Sequence, residues 1–248
     1  MNHAIAEEPY KDKSYKDKPY KGRGMEGATA RWYASLTRNS LERFQALARR
    51  VAAEIPERAR VLEVAPGPGY FAIELAKLGR YTIVGLDISR TFVDIAGRNA
   101  AQAGVAIDFR VGDAARMPFE DRSFDFLFCS AAFKNFTRPL EALREMYRVL
   151  KPGGRALVID LRGDASMESI RSAVKEMHVG ALNALITRLT FRFMLLKRAY
   201  TRQQFEQLLV QTDFGPVHIK EDLIAYELSL DRPPEQSRDR QGAVTDLG

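Results

Sequence analysis

Val61-Leu-Glu-Val-Ala-Pro-Gly-Pro-Gly69, followed by Tyr70-Phe-Ala72, decides the fold of this 248-residue chain. Its first part, Arg60 to Ala65, reads as a short buried strand that stops at Pro and Gly. Tyr70 to Leu78 then reads as an apolar helix closed by Gly79. A strand that ends in a glycine turn and opens a helix places backbone N–H groups and the positive end of a helix dipole at one edge of a sheet. Gly67 and Gly69 carry no side chain, so a ligand can approach the backbone there.

Working outward, apolar runs alternate with amphipathic segments. Met25 to Glu54 reads as one or two helices, with Leu41, Phe44, Leu47, Ala48 and Val51 at helical spacing. Tyr81 to Leu86, Ala106 to Val111, Phe124 to Cys129 and Arg155 to Leu161 read as strands. Helices from Ser89 to Ala103 and from Pro139 to Leu150 fall between them, the second stopped by Lys151-Pro-Gly-Gly. This alternation predicts an α/β, doubly wound, mostly parallel sheet. Met167 to Leu209 breaks the rhythm as one long helical region, a cap of about 166–210. His218 to Glu221 and Ala225 to Leu230 form a late hairpin that suits an antiparallel sheet edge.

Composition narrows the class. The hydrophobic share is 46 % and the single cysteine, Cys129, excludes an internal disulfide. No run approaches the roughly 20 apolar residues of a membrane span, and no secretion signal is visible, so a cytoplasmic location is expected. The net charge of +6 is mostly interleaved with acids, which argues against a nucleic-acid partner. Residues 1–24 repeat Tyr-Lys-Asp-Lys and read as a flexible arm. Residues 231–248 read as a disordered tail, and 25–230 as the domain between them. No His, Cys and Asp cluster has metal-ligand spacing, so no metal is expected.

Two chemistries suit the glycine turn. Gly67-Pro-Gly69-Tyr-Phe-Ala72 fits the dinucleotide pattern G-x-G-x-x-G/A, with an acid, Asp87, about 20 residues on. Glu63 favours another ligand: a carboxylate inside the strand faces a pyrophosphate unfavourably, but suits the ammonium of an amino-acid moiety. Asp87 ends the second strand, where a carboxylate accepts ribose hydroxyls. Asp113 follows the third strand, where it accepts an adenine amino group. Tyr147-Arg-Val-Leu-Lys151 mimics the Y-x-x-x-K pair of short-chain dehydrogenases, but its Lys opens a turn and the glycine spacing differs.

The segments VLEVAPGPG, GLDIS, GDAARMPFEDRSFDFLFC and ALREMYRVLKPGG together resemble the class I S-adenosylmethionine-dependent methyltransferases, in particular their type 11 branch. They stand in the family's order over about residues 40–165. The resemblance implies a seven-stranded sheet with an antiparallel last strand, and S-adenosylmethionine as cofactor. It assigns cofactor contacts to Glu63, Ala65, Gly67, Gly69, Asp87, Ile88, Asp113, Ala114, Ser130 and Tyr33. The family usually has Gly where this chain has Ala65.

Methyl transfer needs the acceptor held in line with the methyl group and requires no strong base. Phe133, Asn135 and His178 are the candidate acceptor contacts, and the acceptor is expected to be a small aromatic or lipophilic molecule. Phe133-Lys-Asn-Phe-Thr137 is similar to the matching stretch of ubiquinone and menaquinone C-methyltransferases, which carry Arg-Asn where this chain has Lys134-Asn135. Leu185 to Tyr200 is a basic amphipathic stretch, suited to a cap helix, to peripheral membrane contact or to a homo-oligomer interface.

Overall fold

A computed structural model describes residues 25–38, 41–79, 81–176 and 196–235. Two helices, α1 (Gly27–Thr37) and α2 (Leu41–Glu54), precede the sheet. Then come β1 (Arg60–Val64), α3 (Tyr70–Leu78), β2 (Thr82–Asp87), α4 (Arg90–Gln102), β3 (Asp108–Val111) and β4 (Phe124–Ser130). A 3-10 turn over Phe133–Asn135 leads to α5 (Pro139–Val149) and β5 (Leu150–Leu161). The remainder is α6 (Met167–Glu176), α7 (Arg202–Leu209), β6 (Val217–Glu221) and β7 (Ala225–Asp231). The expected arm 1–24, the cap segment 177–195 and residues 236–248 lie outside the described residues.

The strands form one seven-stranded sheet in the order β3-β2-β1-β4-β5-β7-β6. β1 to β5 are parallel, and β7 runs antiparallel between β5 and β6. The expected late hairpin is therefore present, with β7 rather than β6 against the parallel strands. Strand order reverses between β1 and β4, and that reversal opens a crevice outside their carboxyl ends.

Strand alternation sorts side chains onto two cores. Leu62, Val64, Val84, Leu86, Leu127 and Cys129 pack on the side of α5 and α7. Val61, Ile83, Phe126 and Phe128 pack on the side of α2 and α3. Glu63 is flanked by Leu62 and Val64, so it faces α3, and the same alternation puts Asp87 and Ser130 on that side. Tight fit at Gly69 is needed for α4 to pack here: a Cβ on it would lie 2.9 Å from the Phe109 ring and 3.0 Å from the Ala96 side chain.

Three readings from the sequence are corrected. Lys151-Pro-Gly-Gly does not separate α5 from its strand but lies within β5, whose pairing to β4 slips between Phe124 and Phe126. The helical region after Met167 is broken: Gly163 N–H donates to the Tyr200 carbonyl at 2.9 Å, and Thr201 caps a separate helix, α7. Order also continues past Leu230. Asp231 pairs with Arg155 in the sheet, and Arg232 Nη1 donates to the carbonyls of Tyr147 (2.8 Å), Arg148 (3.1 Å) and Leu150 (2.7 Å).

Arg232 therefore closes the negative end of α5, a role a tail cannot have. Hydrogen bonds from a charged donor are worth roughly 1.5–3 kcal/mol, and a cation at a helix C-terminus adds to that. Arg232→Ala is expected to lower unfolding stability by about 2 kcal/mol in urea titration. A change within about 0.5 kcal/mol, the range of ordinary surface substitutions, would return Arg232 to the tail.

Candidate functional site

The turn after β1 is held in an unusual backbone conformation. Ala65, Gly67 and Gly69 all have positive φ, at 56°, 55° and 78°. A left-handed residue other than glycine costs roughly 1–2 kcal/mol, which explains why glycine is the ordinary occupant at the position of Ala65. Sheet and turn hydrogen bonds impose the shape: Ala65 N–H donates to the Leu86 carbonyl at 2.8 Å, and Gly69 N–H to that of Pro66 at 3.0 Å. A Cβ built on Gly67 would meet no atom within 4 Å, so the backbone there faces open space.

Two buried carboxyls flank this turn. Asp87 Oδ2 accepts from Gly67 N–H at 3.0 Å and Oδ1 from Ser89 N–H at 2.9 Å. Burial pushes its pKa up to about 6, against the pull of those two N–H donors and with help from the charge of Glu26. Glu63 Oε2 accepts from Ala72 N–H in the first turn of α3 at 3.1 Å. Burial is again the main cause of its shift, to about 8, and the neighbouring Asp87 charge adds to it. Among the described residues no cation pairs with Glu63.

The other candidate residues are placed unevenly around this centre. Ile88 is exposed and Ser130, the last residue of β4, is half-buried. Ala114 packs at the margin of the larger core. Asp113 is already engaged: Oδ1 accepts from Ala115 N–H at 2.8 Å and Oδ2 from Arg138 Nη2 at 2.5 Å. Tyr33, on α1, meets the edge of Phe92 at 5.9 Å, and burial followed by the charge of Asp160 raises its pKa. Asn135 is half-buried in the 3-10 turn, whereas His178 lies outside the described residues. Phe133, expected against the acceptor, is instead a core residue. Its ring is fully buried among Phe136, Tyr200 and Phe205, with centroids 5.4–5.5 Å away.

Sequence reasoning missed three participants. Asp160 and Lys134 form a buried ion pair at 3.0 Å where β4 and β5 end. An acid at the carboxyl end of an apolar strand was the available signal, as it was for Glu63. Glu26 accepts from the N–H groups of Arg90 (3.0 Å) and Thr91 (3.2 Å) and so caps α4 beside Asp87. Ser89 Oγ donates to the Met25 carbonyl at 2.7 Å, which ties the start of α1 to the same edge. Farther along the cap, Gly163, Ala165, Met167, Ile170, Leu196 and Lys197 line an open cavity of about 310 Å³.

Comparison with known proteins gives this geometry a family. Residues 62–158 match the family model of the methyltransferase domain. Those residues are a methyltransferase domain. Over 108 residues the chain is 43 % identical to a demethylmenaquinone methyltransferase of Deinococcus radiodurans, covering 43 % of this chain and 45 % of that protein. The chain thus spans less than half the length of that curated relative.

The fold extends beyond the methyltransferase domain model. A proposed S-adenosyl-L-methionine-dependent methyltransferase from Methanococcus maripaludis superposes with a TM-score of 0.66 at 18 % identity, covering 88 % of this chain and 98 % of that one. The [4+2]-cyclase SpnF superposes at 0.58 and 20 % identity, covering 77 % and 81 %. Such likeness concerns architecture alone; chemistry has to be argued from the site.

Two measurements probe this edge. Ala65→Gly removes a left-handed alanine, and after the greater unfolded-state freedom of glycine is subtracted it is expected to stabilise the protein by about 0.5 kcal/mol. Destabilisation in urea would mean the turn is not what strains this position. Glu63 has the opposite character to a paired carboxylate, because its folded pKa of about 8 lies above its ordinary value of 4.5. Its contribution is complete below pH 4.5 and is lost as pH rises through 8, at up to about 1.4 kcal/mol per pH unit. Glu63→Gln should therefore gain stability relative to wild type between pH 5 and 8, with the gap level above that. A gap independent of pH would contradict the burial of an unpaired carboxyl.

Proposed function

We propose that the protein transfers a methyl group from S-adenosylmethionine to a small aromatic or lipophilic acceptor. One observation carries the choice of cofactor: Glu63 is a buried carboxyl with no cationic partner among the described residues, directly under an open glycine turn. A ligand bringing a positive charge stabilises its ionised form, whereas a pyrophosphate would meet it with like charge. The donor set suits S-adenosylmethionine along its whole length.

In this reading Glu63, Ala65 and Gly67 take the methionine part, with Gly69 letting the turn approach α4. Asp87 retains one lone pair on each oxygen for the ribose hydroxyls, and Ile88 covers that end. Asp113 and Ala114 take the adenine, Asp113 sharing its carboxylate with Arg138. Ser130 and Tyr33 border the methyl group. When bound, the cofactor supplies an activated methyl on a sulfonium; the chain supplies orientation and exclusion of water.

The acceptor side rests on less. The name of the Deinococcus radiodurans relative and the Lys134-Asn135 pair support a quinone-type ring as acceptor and carbon as the methylated atom. Asn135 and His178 remain the proposed acceptor contacts, with Phe133 supporting them from behind. No helix among the described residues is long and apolar enough to cross a membrane. Peripheral membrane contact, self-association and a cytoplasmic location stay proposals carried by the basic stretch ending at Tyr200 and by the lack of an apolar signal.

Incubating the protein with methyl-labelled cofactor and a small-molecule extract should give a labelled product by mass spectrometry. In calorimetry, Asp87→Ala should weaken S-adenosylmethionine binding about tenfold or more, since each hydrogen bond to a charged group is worth roughly 1.5–3 kcal/mol. Equal affinity in wild type and variant would displace the ribose from Asp87. No binding to wild type would dismiss the function.

A further inference from the structure

Lys134 is the one buried cation among the described residues. Its Nζ donates to Asp160 Oδ1 at 3.0 Å and to the Ala131 carbonyl. An ammonium carries three N–H donors. Among the described residues the third has no acceptor. Asp160 does not simply cancel the lysine, because its carboxylate is shared. Oδ2 also accepts from Lys134 N–H at 2.8 Å and Oδ1 from Leu161 N–H at 2.7 Å.

Stability does not account for such a pair. Desolvating two ions is costly, and apolar side chains of similar volume often serve a core equally well. Position is more telling. Lys134 sits on the turn that leaves β4, and β4 ends beside β1, with Cys129 opposite Val64. The Cys129 thiol feels burial first, then the charges of Asp160, Lys134, Glu63 and Asp87, so these four groups converge around one strand tip. Tyr33 of α1 reaches the field of Asp160 from the other side. The crevice therefore holds three acids, and one ammonium with a donor to spare.

We propose that this third N–H of Lys134 receives an anionic oxygen of the methyl acceptor, which makes the acceptor an acidic hydroxyl compound, a phenol or enol, bound as its anion. The inference rests on the methyltransferase reading and adds the acceptor's charge to it. Asp160 acts as a positioning residue that fixes the ammonium. The acceptor's electron pair, on the oxygen or on a conjugated ring carbon, forms the bond to the methyl carbon as the methyl–sulfur bond breaks toward sulfur. Attack through carbon leaves a ring proton that passes to water. Neither route requires a base on the protein.

The test uses 4-nitrophenol, whose ionisation is visible by absorbance, with nitrobenzene as its uncharged counterpart. Both are titrated into wild-type protein saturated with S-adenosylhomocysteine between pH 5 and 9. Bound nitrophenol should ionise about one pH unit or more below the free compound, as beside an opposite charge at contact distance. It should also bind at least about tenfold more tightly than nitrobenzene. Lys134→Met should abolish the shift while S-adenosylhomocysteine affinity is kept, and Lys134→Arg should restore part of it. Should Lys134→Met fail to fold, the wild-type titration alone decides. Absence of nitrophenol binding, an unshifted ionisation, or a shift that survives in a folded Lys134→Met each overturns the inference. Failure of wild type to bind S-adenosylhomocysteine would instead strike the methyltransferase reading beneath it.

Discussion

The carboxylate of Asp87 joins two loops that would otherwise be independent. One oxygen holds Gly67 in the turn after β1, and the other holds Ser89 at the head of α4. Ser89 then caps α4 through Phe92 N–H at 3.1 Å and grips the chain before α1 through the Met25 carbonyl. Glu26, drawn to the same place, satisfies two further N–H groups of α4. One side chain at a strand end thus sets the relative positions of α1, α3 and α4. Burial raises its pKa only to about 6, so it stays largely ionised at neutral pH and its hydrogen bonds keep their charge-assisted strength.

The same edge concentrates charge that the fold does not neutralise. Glu63, at about 8, is mostly protonated at neutral pH, which limits the cost of burying it. A cationic ligand would reverse that balance, converting a poorly solvated acid into half of an ion pair. Sites of this kind lower stability in the unliganded protein, and the loss is recovered on binding. Lys134 and Asp160 show the alternative arrangement, in which compensation is internal and one donor is left over.

How much of this was legible in the sequence depends on the range of each interaction. The parallel strands, their order and the carboxyl edge followed from alternation and punctuation within about 30 residues. Glu63 stood out because an acid interrupts an apolar strand just before glycine. Asp160 interrupts a strand too, but no glycine turn follows to mark it, and its partner lies 26 residues away. Arg232 is the extreme case: it looks like tail by composition, yet its guanidinium reaches carbonyls 82 to 85 residues earlier. Asp113 was placed correctly on its loop, while Arg138, which shares its carboxylate, comes from a different segment. Local pattern reveals where a charge sits; its partner is set by the sheet.

Two alanines show how local strain and sheet geometry meet at this edge. Ala65 follows β1 and Ala131 follows β4, the neighbouring strands where the order reverses, and both are left-handed, at φ 56° and 57°. In each case the N–H completes a bond to the adjacent strand, Ala65 to Leu86 at 2.8 Å and Ala131 to Ile159 at 2.7 Å. The sheet therefore commits the residue before its own preference can act, and the cost of the conformation is met by a bond that any other turn would forfeit. Alanine confines the unfolded chain more than glycine would, so these turns are less able to sample other shapes. The Ala131 carbonyl then accepts from Lys134 Nζ, which makes the second strained turn the support on which the buried ammonium rests. Strain in such positions persists only where surrounding contacts over-determine it. Here those contacts are the ones that aim charged groups into a single crevice.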